Sequence, residues 1–376
     1  MRLATYNVES FFERPKAMNL AAADPTDRWA EGRDILTDCA TFNALVANSK
    51  YSDQDKSNIL ALIKKLRLTK EDESKYVILR QNHGHLIKRP KNGPVEVVAG
   101  GRGDWVGWLD LVKGDVEETA VLNTARVISD AKADIQVVVE AENRKALCDL
   151  SDILLPKVGG KSFAHSMLVD GNDDRGIDVG IMVGVGYSIA SIKSHVDDTD
   201  GDGQVFSRDC PEYEVKTPSG TSIWVLPNHF KSKGYGVQSD SDKKRLRQAT
   251  RVKEIYQSMR ADGKNLIAIL GDFNDTPDSA TLEPLLKTDL KDIFTHPDFD
   301  NGGRPGTIDN CTKGDKFDYI LLSPELYGKV NSGGVFRKGV WGGTHGDMWE
   351  IYKDTMKKPS DAASDHAAVW AEIDIQ

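Results

Sequence analysis

The sequence predicts a soluble α/β protein, on three observations. Short apolar runs at Leu266–Leu270, Ile135–Val139 and Ile223–Leu226 each end in polar residues. A run of this length bounded by turn residues fits a strand covered on both faces. Stretches with helical spacing of apolar residues lie between and around them, chiefly 115–131 and 243–259. With 376 residues, 39% hydrophobic and 28% charged, the chain can fill a sizeable core, as one large α/β domain or two ordinary ones.

The net charge of −9 argues against a tight, sequence-reading DNA binder but leaves room for a nuclease whose basic groups are local. Cys39, Cys148, Cys210 and Cys311 are far apart and form no CxxC pair, so neither a zinc site nor a disulfide framework is predicted. No stretch approaches the ~20 apolar residues of a membrane span. Met1-Arg2 runs straight into the strand-like LATYNV with no signal-peptide pattern, so a cytoplasmic protein is expected.

Leu3–Val8 reads as the first strand, with Asn7 near its end as a turn residue, a cap or a ligand. From Arg14 to about Glu118 the pattern is less legible. Asp53–Leu68 has a helical stripe of Ile59, Leu62, Ile63 and Leu66, and Tyr76–Leu79, Leu86–Lys88 and Val95–Val98 read as short strands. His83, His85, Lys88, Arg89 and Lys91 precede Trp105 and Trp108. That grouping suits phosphate contact and base stacking, or a solvated hairpin whose tryptophans pack on the core.

The helix predicted over Asp115–Ala131 feeds the strand Ile135–Val139, which delivers Glu140. A carboxylate at the end of an apolar strand needs a cation or a basic partner. The same holds for Asp178 in RGIDVGIMV. In DDTDGDGQVFSRD, Asp198, Asp200 and Asp202 precede Gly203, with Gln204 next and Asp209 at the twelfth position. This is the spacing of a calcium loop, or of a plain acidic turn. Ile223–Leu226 ends in Pro-Asn-His229-Phe-Lys-Ser-Lys, where His229 is an acid, base or phosphate-contact candidate or a structural histidine.

LIAILGDFNDTP is the central stretch. Its strand ends at Gly271 and presents Asp272, Asn274 and Asp275, with period-2 geometry putting Asp272 and Asn274 on one face. A carboxylate beside an amide can hold a metal or a water and still donate a hydrogen bond. Asp318 opens a later strand, and Asp365 and His366, being adjacent, point to opposite sides of an extended chain.

In order, TYNVES, VVEAEN, RGIDVGIMV, NHFKSK, GDFNDTP, FDYILLS and SDHAAVW resemble the motif series of the endonuclease/exonuclease/phosphatase superfamily, the pancreatic-deoxyribonuclease-like hydrolases. The resemblance covers residues 1–12 and about 120–376. It implies a four-layered α/β sandwich of two packed mixed sheets flanked by helices, as a single domain over 1–376 with a long insertion at about 13–119. It implies that Asn7 and Glu140 ligate Mg²⁺ or Mn²⁺ with Asp365 close by, although Val139 stands before Glu140 where a glutamine is commoner. It further implies that Asp318 orients His366, that Asp178 orients His229, and that Asp272 and Asn274 position the attacking water. Arg175, Arg208 and Lys231 are its candidates for phosphate contact. The function implied is metal-dependent hydrolysis of phosphodiester bonds, foremost by a nuclease acting on DNA with little sequence preference. A phosphatase or a small-molecule or phospholipid phosphodiesterase is the alternative, and a non-catalytic binding module is the third. A structural Ca²⁺ in the 198–209 loop completes the cofactor expectation.

Overall fold

Val137, Val138 and Val139 alternate in direction along one strand, and the layering follows from that alternation. The computed structural model describes residues 1–19, 30–114, 118–234 and 236–375, without the side chains of residues 19 and 30–33. The chain forms two compact units, Met1–Phe12 with Glu118–Gln376, and Glu13–Glu117.

The larger unit is built on β1 (Arg2–Phe11), α1 (Thr119–Ala131), β2 (Ile135–Ala141), β3 (His165–Leu168), β4 (Asp178–Val183), β5 (Ser188–Lys193), β6 (Glu212–Lys216) and β7 (Ser222–His229). It continues with α2 (Gln238–Ala261), β8 (Ile267–Asp272), β9 (Lys291–Asp292), β10 (Phe299–Asp300), β11 (Asp318–Leu322), β12 (Val330–Phe336) and β13 (Ala368–Ile373). One sheet has the order β10-β12-β13-β1-β2-β4-β3 and the other β5-β6-β7-β8-β11-β9. Both are mixed: β1 runs parallel to β2 and antiparallel to β13, while β7 runs parallel to β8 and antiparallel to β6.

Val137, Val139, Val179 and Ile181 of the first sheet share one buried cluster with Val215, Ile223, Val225, Leu270 and Ile320 of the second. The sheets therefore pack face to face. Val138 and Met182 point the other way, onto Val121, Ala125 and Ile128 of α1. Leu226, Ile267 and Ile269 point outward onto Val252, Ile255 and Met259 of α2. Helix, sheet, sheet and helix make the four layers expected from the motif series. The predicted helix from Asp115 begins partly outside the described residues, which omit 115–117, and α1 is observed from Thr119.

The smaller unit has its own core of Phe42, Ile59, Ile63, Leu68, Leu79, Trp105 and Leu109. Its helix Asp53–Lys65 starts at Ser52, whose side chain accepts from the Asp55 backbone while Asp55 accepts in return, a reciprocal cap. The helix Ala30–Val46, not anticipated from the sequence, turns Cys39, Phe42 and Val46 into that core.

The calcium-loop expectation meets a different arrangement. Thr199–Asp200 and Gly203–Gln204 form a short hairpin. Asp200 pairs with Arg247, and Asp198 accepts from Arg251 Nε at 2.8 Å and lies 2.9 Å from His195 Nδ1. Asp209 instead accepts from the His195 and Cys210 backbones in the interior, while Asp202 and Gln204 are exposed. Arg247 and Arg251 of α2 thus pair with two of the loop's carboxylates, Asp200 and Asp198.

Beside that loop, buried Glu212 at the start of β6 lies 2.9 Å from His195 Nε2, 3.0 Å from Lys193 Nζ and 3.1 Å from Lys264 Nζ. Burial alone would raise its carboxyl, but these partners override it and push it down to about 2. A depressed carboxyl contributes stability that is complete above the unfolded value of 4.5 and is lost as pH falls towards about 2. Glu212→Gln is expected to cost about 1–3 kcal/mol at neutral pH, with the gap to the parent closing on acidification, as measured by urea unfolding between pH 7 and pH 2.5.

Candidate functional site

Three adjacent strands of the second sheet and the strand ends of the first deliver the candidate residues to one place. His229, Asp272 and Asp318 stand side by side in register on β7, β8 and β11. Asn7 and Glu140 come from β1 and β2, and His366 from just before β13. Buried Asp272 lies at the centre. Its Oδ2 accepts from Asn7 Nδ2 at 3.1 Å and from Asn274 Nδ2 at 3.0 Å, and its Oδ1 accepts from the Asn274 backbone at 2.7 Å. His229 Nε2 and His366 Nε2 approach the same Oδ2 at 3.6 and 3.9 Å.

The backbone is bent to make this possible. Pairing of β1 with β2 breaks between Asn7 and Phe11, and pairing of β4 with β2 shifts between Asp178 and Val179, leaving Glu140 in a bulge. Glu9, Ser10, Glu140 and Asn274 all have positive φ, at 52°, 61°, 68° and 52°. Such non-glycine conformations persist where surrounding contacts impose them, commonly at functional sites. The contacts are visible here: Glu140 Oε2 accepts from both the backbone and the hydroxyl of Ser10, at 2.9 and 3.1 Å. Asn274 reaches Asp272 through a turn rather than by strand alternation, while Phe273 points away and stacks between Phe230 and Tyr319. Asp275 anchors that turn to buried Arg245, to Lys233 and to the hydroxyls of Ser279 and Thr281.

The two histidines have opposite electrostatic settings. Burial would lower His366, but Asp318 overrides it, with Oδ2 at 2.8 Å from Nδ1, and Asp272 and Asp365 add to the effect, holding the imidazolium well above its usual range. His229 has no such support. Burial, then Arg208, His366 and Arg175, push it well below its ordinary value, so its ring is neutral. Burial likewise raises the Asp272 carboxyl, against the pull of His366 and with reinforcement from Asp318.

Among the described residues no hydrogen bond joins Asp178 to His229, in contrast to the expectation. Asp178 Oδ1 accepts from the Gly171 backbone at 2.9 Å, and buried His229 Nδ1 has no hydrogen-bond partner. Burial pushes the Asp178 carboxyl up to about 7. The phosphate-contact candidates do gather electrostatically. Arg208 is buried, with Nε 3.1 Å from Asp173 Oδ2 and Nη2 without a hydrogen bond among the described residues, and Arg175 donates to both oxygens of Asp173, at 3.0 and 3.1 Å. Lys231 is lowered by burial and by both arginines.

A divalent cation can be tested against the donors present. Glu140 Oε1 keeps only a long 3.5 Å contact to Asn7 Nδ2 and lies 3.6 Å from His229, so one carboxylate oxygen is left weakly satisfied. Asp365 Oδ1 stands 3.8 Å from His366 Nε2, and its side chain is half exposed. Among the described residues no three or more His, Cys, Asp or Glu side chains are arranged to hold a metal. Asn7 Oδ1 accepts from the Glu9 backbone at 3.1 Å while Nδ2 faces Glu140 and Asp272. The second lone pair of Oδ1 with one or two carboxylates fits Mg²⁺ or Mn²⁺, which retain several waters and need few protein oxygens.

Sequence reasoning missed Ser10, Ser364 and Arg245. Ser364 Oγ donates to the Asn7 carbonyl at 2.8 Å and accepts from the His366 backbone at 3.0 Å, tying the two ends of the chain's motif series together. Ser10 and Ser364 do lie inside the TYNVES and SDHAAVW motifs. Arg245 pairs locally with Asp242, and its link to the site, through Asp275 30 residues away, has no local signal.

The structure is a face-to-face α/β sandwich with a carboxylate-supported histidine and an acid–amide pair at its strand ends. The family model described as Endonuclease/Exonuclease/phosphatase family matches residues 113–300, and the chain belongs to that family, which acts on phosphoester bonds. The fold is similar to that of a Bacteroides thetaiotaomicron mannosyl-6-phosphatase, at 18% identity over 68% of this chain and 91% of that one, with a TM-score of 0.50. Truncated Caenorhabditis elegans TDP2 is 15% identical over 67% and 89% of the two chains with a TM-score of 0.46. The human Nocturnin catalytic domain is 14% identical over 68% and 86%, with a TM-score of 0.48. No curated protein matches the sequence.

Gly271 has φ +139°, and a Cβ there would stand 1.9 Å from the Asn228 carbonyl oxygen. Gly271→Ala is expected to lose roughly 1–3 kcal/mol of stability, read from the denaturant midpoint, because β7 and β8 must separate where His229 and Asp272 meet. Asp318→Asn removes the main support of the His366 proton. The alkaline limb of the activity profile should then move to lower pH, as a group charged below its pKa loses its proton earlier.

Proposed function

We propose that this protein is a metal-dependent phosphodiesterase, foremost a nuclease with little sequence preference. The observation that supports this most is the pairing of one charged and one neutral histidine about a single buried carboxylate. A phosphodiester is anionic, and attack on it builds further charge on the phosphoryl oxygens. A fixed imidazolium at His366 donates to such an oxygen and stabilises the charge where it develops. Asp272, with its raised proton affinity, holds and deprotonates the attacking water, and Asn274 and Asn7 fix its orientation. Neutral His229 exchanges a proton at Nε2, and Arg208 offers its unpaired Nη2 to a phosphoryl oxygen. Asn7, Glu140 and Asp365 would hold Mg²⁺ or Mn²⁺, and the bound ion would supply Lewis-acid neutralisation of phosphoryl charge.

The net charge of −9 favours a second reading, a phosphatase or a phosphodiesterase of small molecules or phospholipid head groups. Supercoiled plasmid and bis-p-nitrophenyl phosphate, each with Mg²⁺, Mn²⁺ or EDTA, separate the two. Metal-dependent nicking is expected, and hydrolysis of the small ester without nicking would select the second reading. His229→Ala, His366→Ala and Asp272→Ala should each lower turnover about 10²–10⁴-fold with the fold retained. Undiminished turnover in both histidine variants would overturn the site.

A further inference from the structure

In the smaller unit the strands Val77–His83 and Val106–Leu111 pair antiparallel, with Arg80 opposite Trp108 and His83 opposite Val106. Leu79 and Leu109, one step along each strand, are buried, so Arg80, His83, Val106 and Trp108 share the opposite, outer face. The sequence offered both tryptophans of this region for stacking, and the structure separates them. Trp105 is fully buried and donates from Nε1 to Tyr51 at 2.8 Å, whereas Trp108 is 45% exposed.

The cations divide in the same way. Arg89 is consumed by the carbonyls of Leu68 and Glu71 and by Asp72. His83, His85, Lys88 and Lys91 are exposed, and the pair between Arg80 and Asp110 is a solvated one of small net value. From Ser74 to Val95 the chain carries five Lys and Arg, two His and no acid. The smaller unit has 17 Lys and Arg against 16 Asp and Glu, while the remainder has 32 against 42. The chain's acidity is thus confined to the larger unit.

An exposed indole with a guanidinium directly across the strand, shared with Asp110 and next to the acid-free segment 74–95, is chemistry for a base stacked beside a phosphate. We propose that the outer face of this strand pair binds single-stranded nucleic acid, with Trp108 stacking on a base and Arg80 meeting a phosphate, and with the exposed Lys88 and Lys91 of the connecting segment adding phosphate contacts. The proposal adds a substrate-holding surface to the nuclease reading and rests on it for its biological sense, but not for its measurement.

The test is fluorescence anisotropy of a labelled thymidine oligonucleotide of about 20 residues, in EDTA so that nothing is cleaved. Trp108→Ala should weaken binding about tenfold or more, Trp108→Phe should retain most of it, and Lys88→Ala with Lys91→Ala should flatten the salt dependence. Hydrolysis of bis-p-nitrophenyl phosphate should be unchanged in all of them. Equal affinity in the parent and Trp108→Ala overturns the proposal, as does a parent that binds no oligonucleotide. A strand pair that serves a protein partner would give that second result with ester hydrolysis intact, so the site reading would survive. Oligonucleotide binding lost in Trp108→Ala, in a protein that hydrolyses no phosphoester, would sustain the surface and remove the enzyme.

Discussion

The buried carboxylate of Asp272 is the constraint on which the rest of the site depends. An ionised group in a dry interior is expensive, and two amides, a backbone N–H and two imidazoles stand around its oxygens. Those groups come from both sheets, so the carboxylate is satisfied only when the sandwich is closed. Fold and site are therefore one problem in electrostatics. The face-to-face core of valines and isoleucines brings the strand ends together, and the strand ends supply the polar partners.

Electrostatic differentiation follows from position rather than residue type. His229 and His366 are both buried and both face Asp272, yet one is driven neutral and the other charged. The difference is Asp318, 2.8 Å behind His366, where His229 Nδ1 has no hydrogen-bond partner. Pairs of titratable groups pushed apart by their surroundings are what acid–base chemistry at neutral pH requires. The positive-φ residues Glu9, Ser10, Glu140 and Asn274 are the conformational counterpart. Each departs from regular strand geometry, and Glu140 and Asn274 are held there by hydrogen bonds of their own side chains within the site.

Much of this was legible in the chain. Apolar runs located β2, β7, β8 and β11 because a doubly covered strand must be apolar throughout, and the site uses a polar residue just beyond the end of the run in β2, β7 and β8 and the one that opens it in β11. The calcium-loop spacing of 198–209 carried no sign of the ion pairs there, because local spacing cannot report that α2 brings Arg247 and Arg251 across. The helix Ala30–Val46 was passed over although Ile35, Cys39, Phe42 and Val46 lie at helical spacing and pack in the smaller unit's core.

The sequence by itself determined the residue types, their order and the apolar runs, and from these the strand-end placement of Asn7, Glu140, His229, Asp272 and Asp318, while the four layers were expected from the resemblance of its motif series. Only tertiary structure decided which histidine is charged, which aspartates are paired with arginine, and which of Trp105 and Trp108 faces water. The reason is physical: periodicity is a property of neighbours along the chain, whereas desolvation and Coulomb interaction depend on groups brought close from tens to hundreds of residues away.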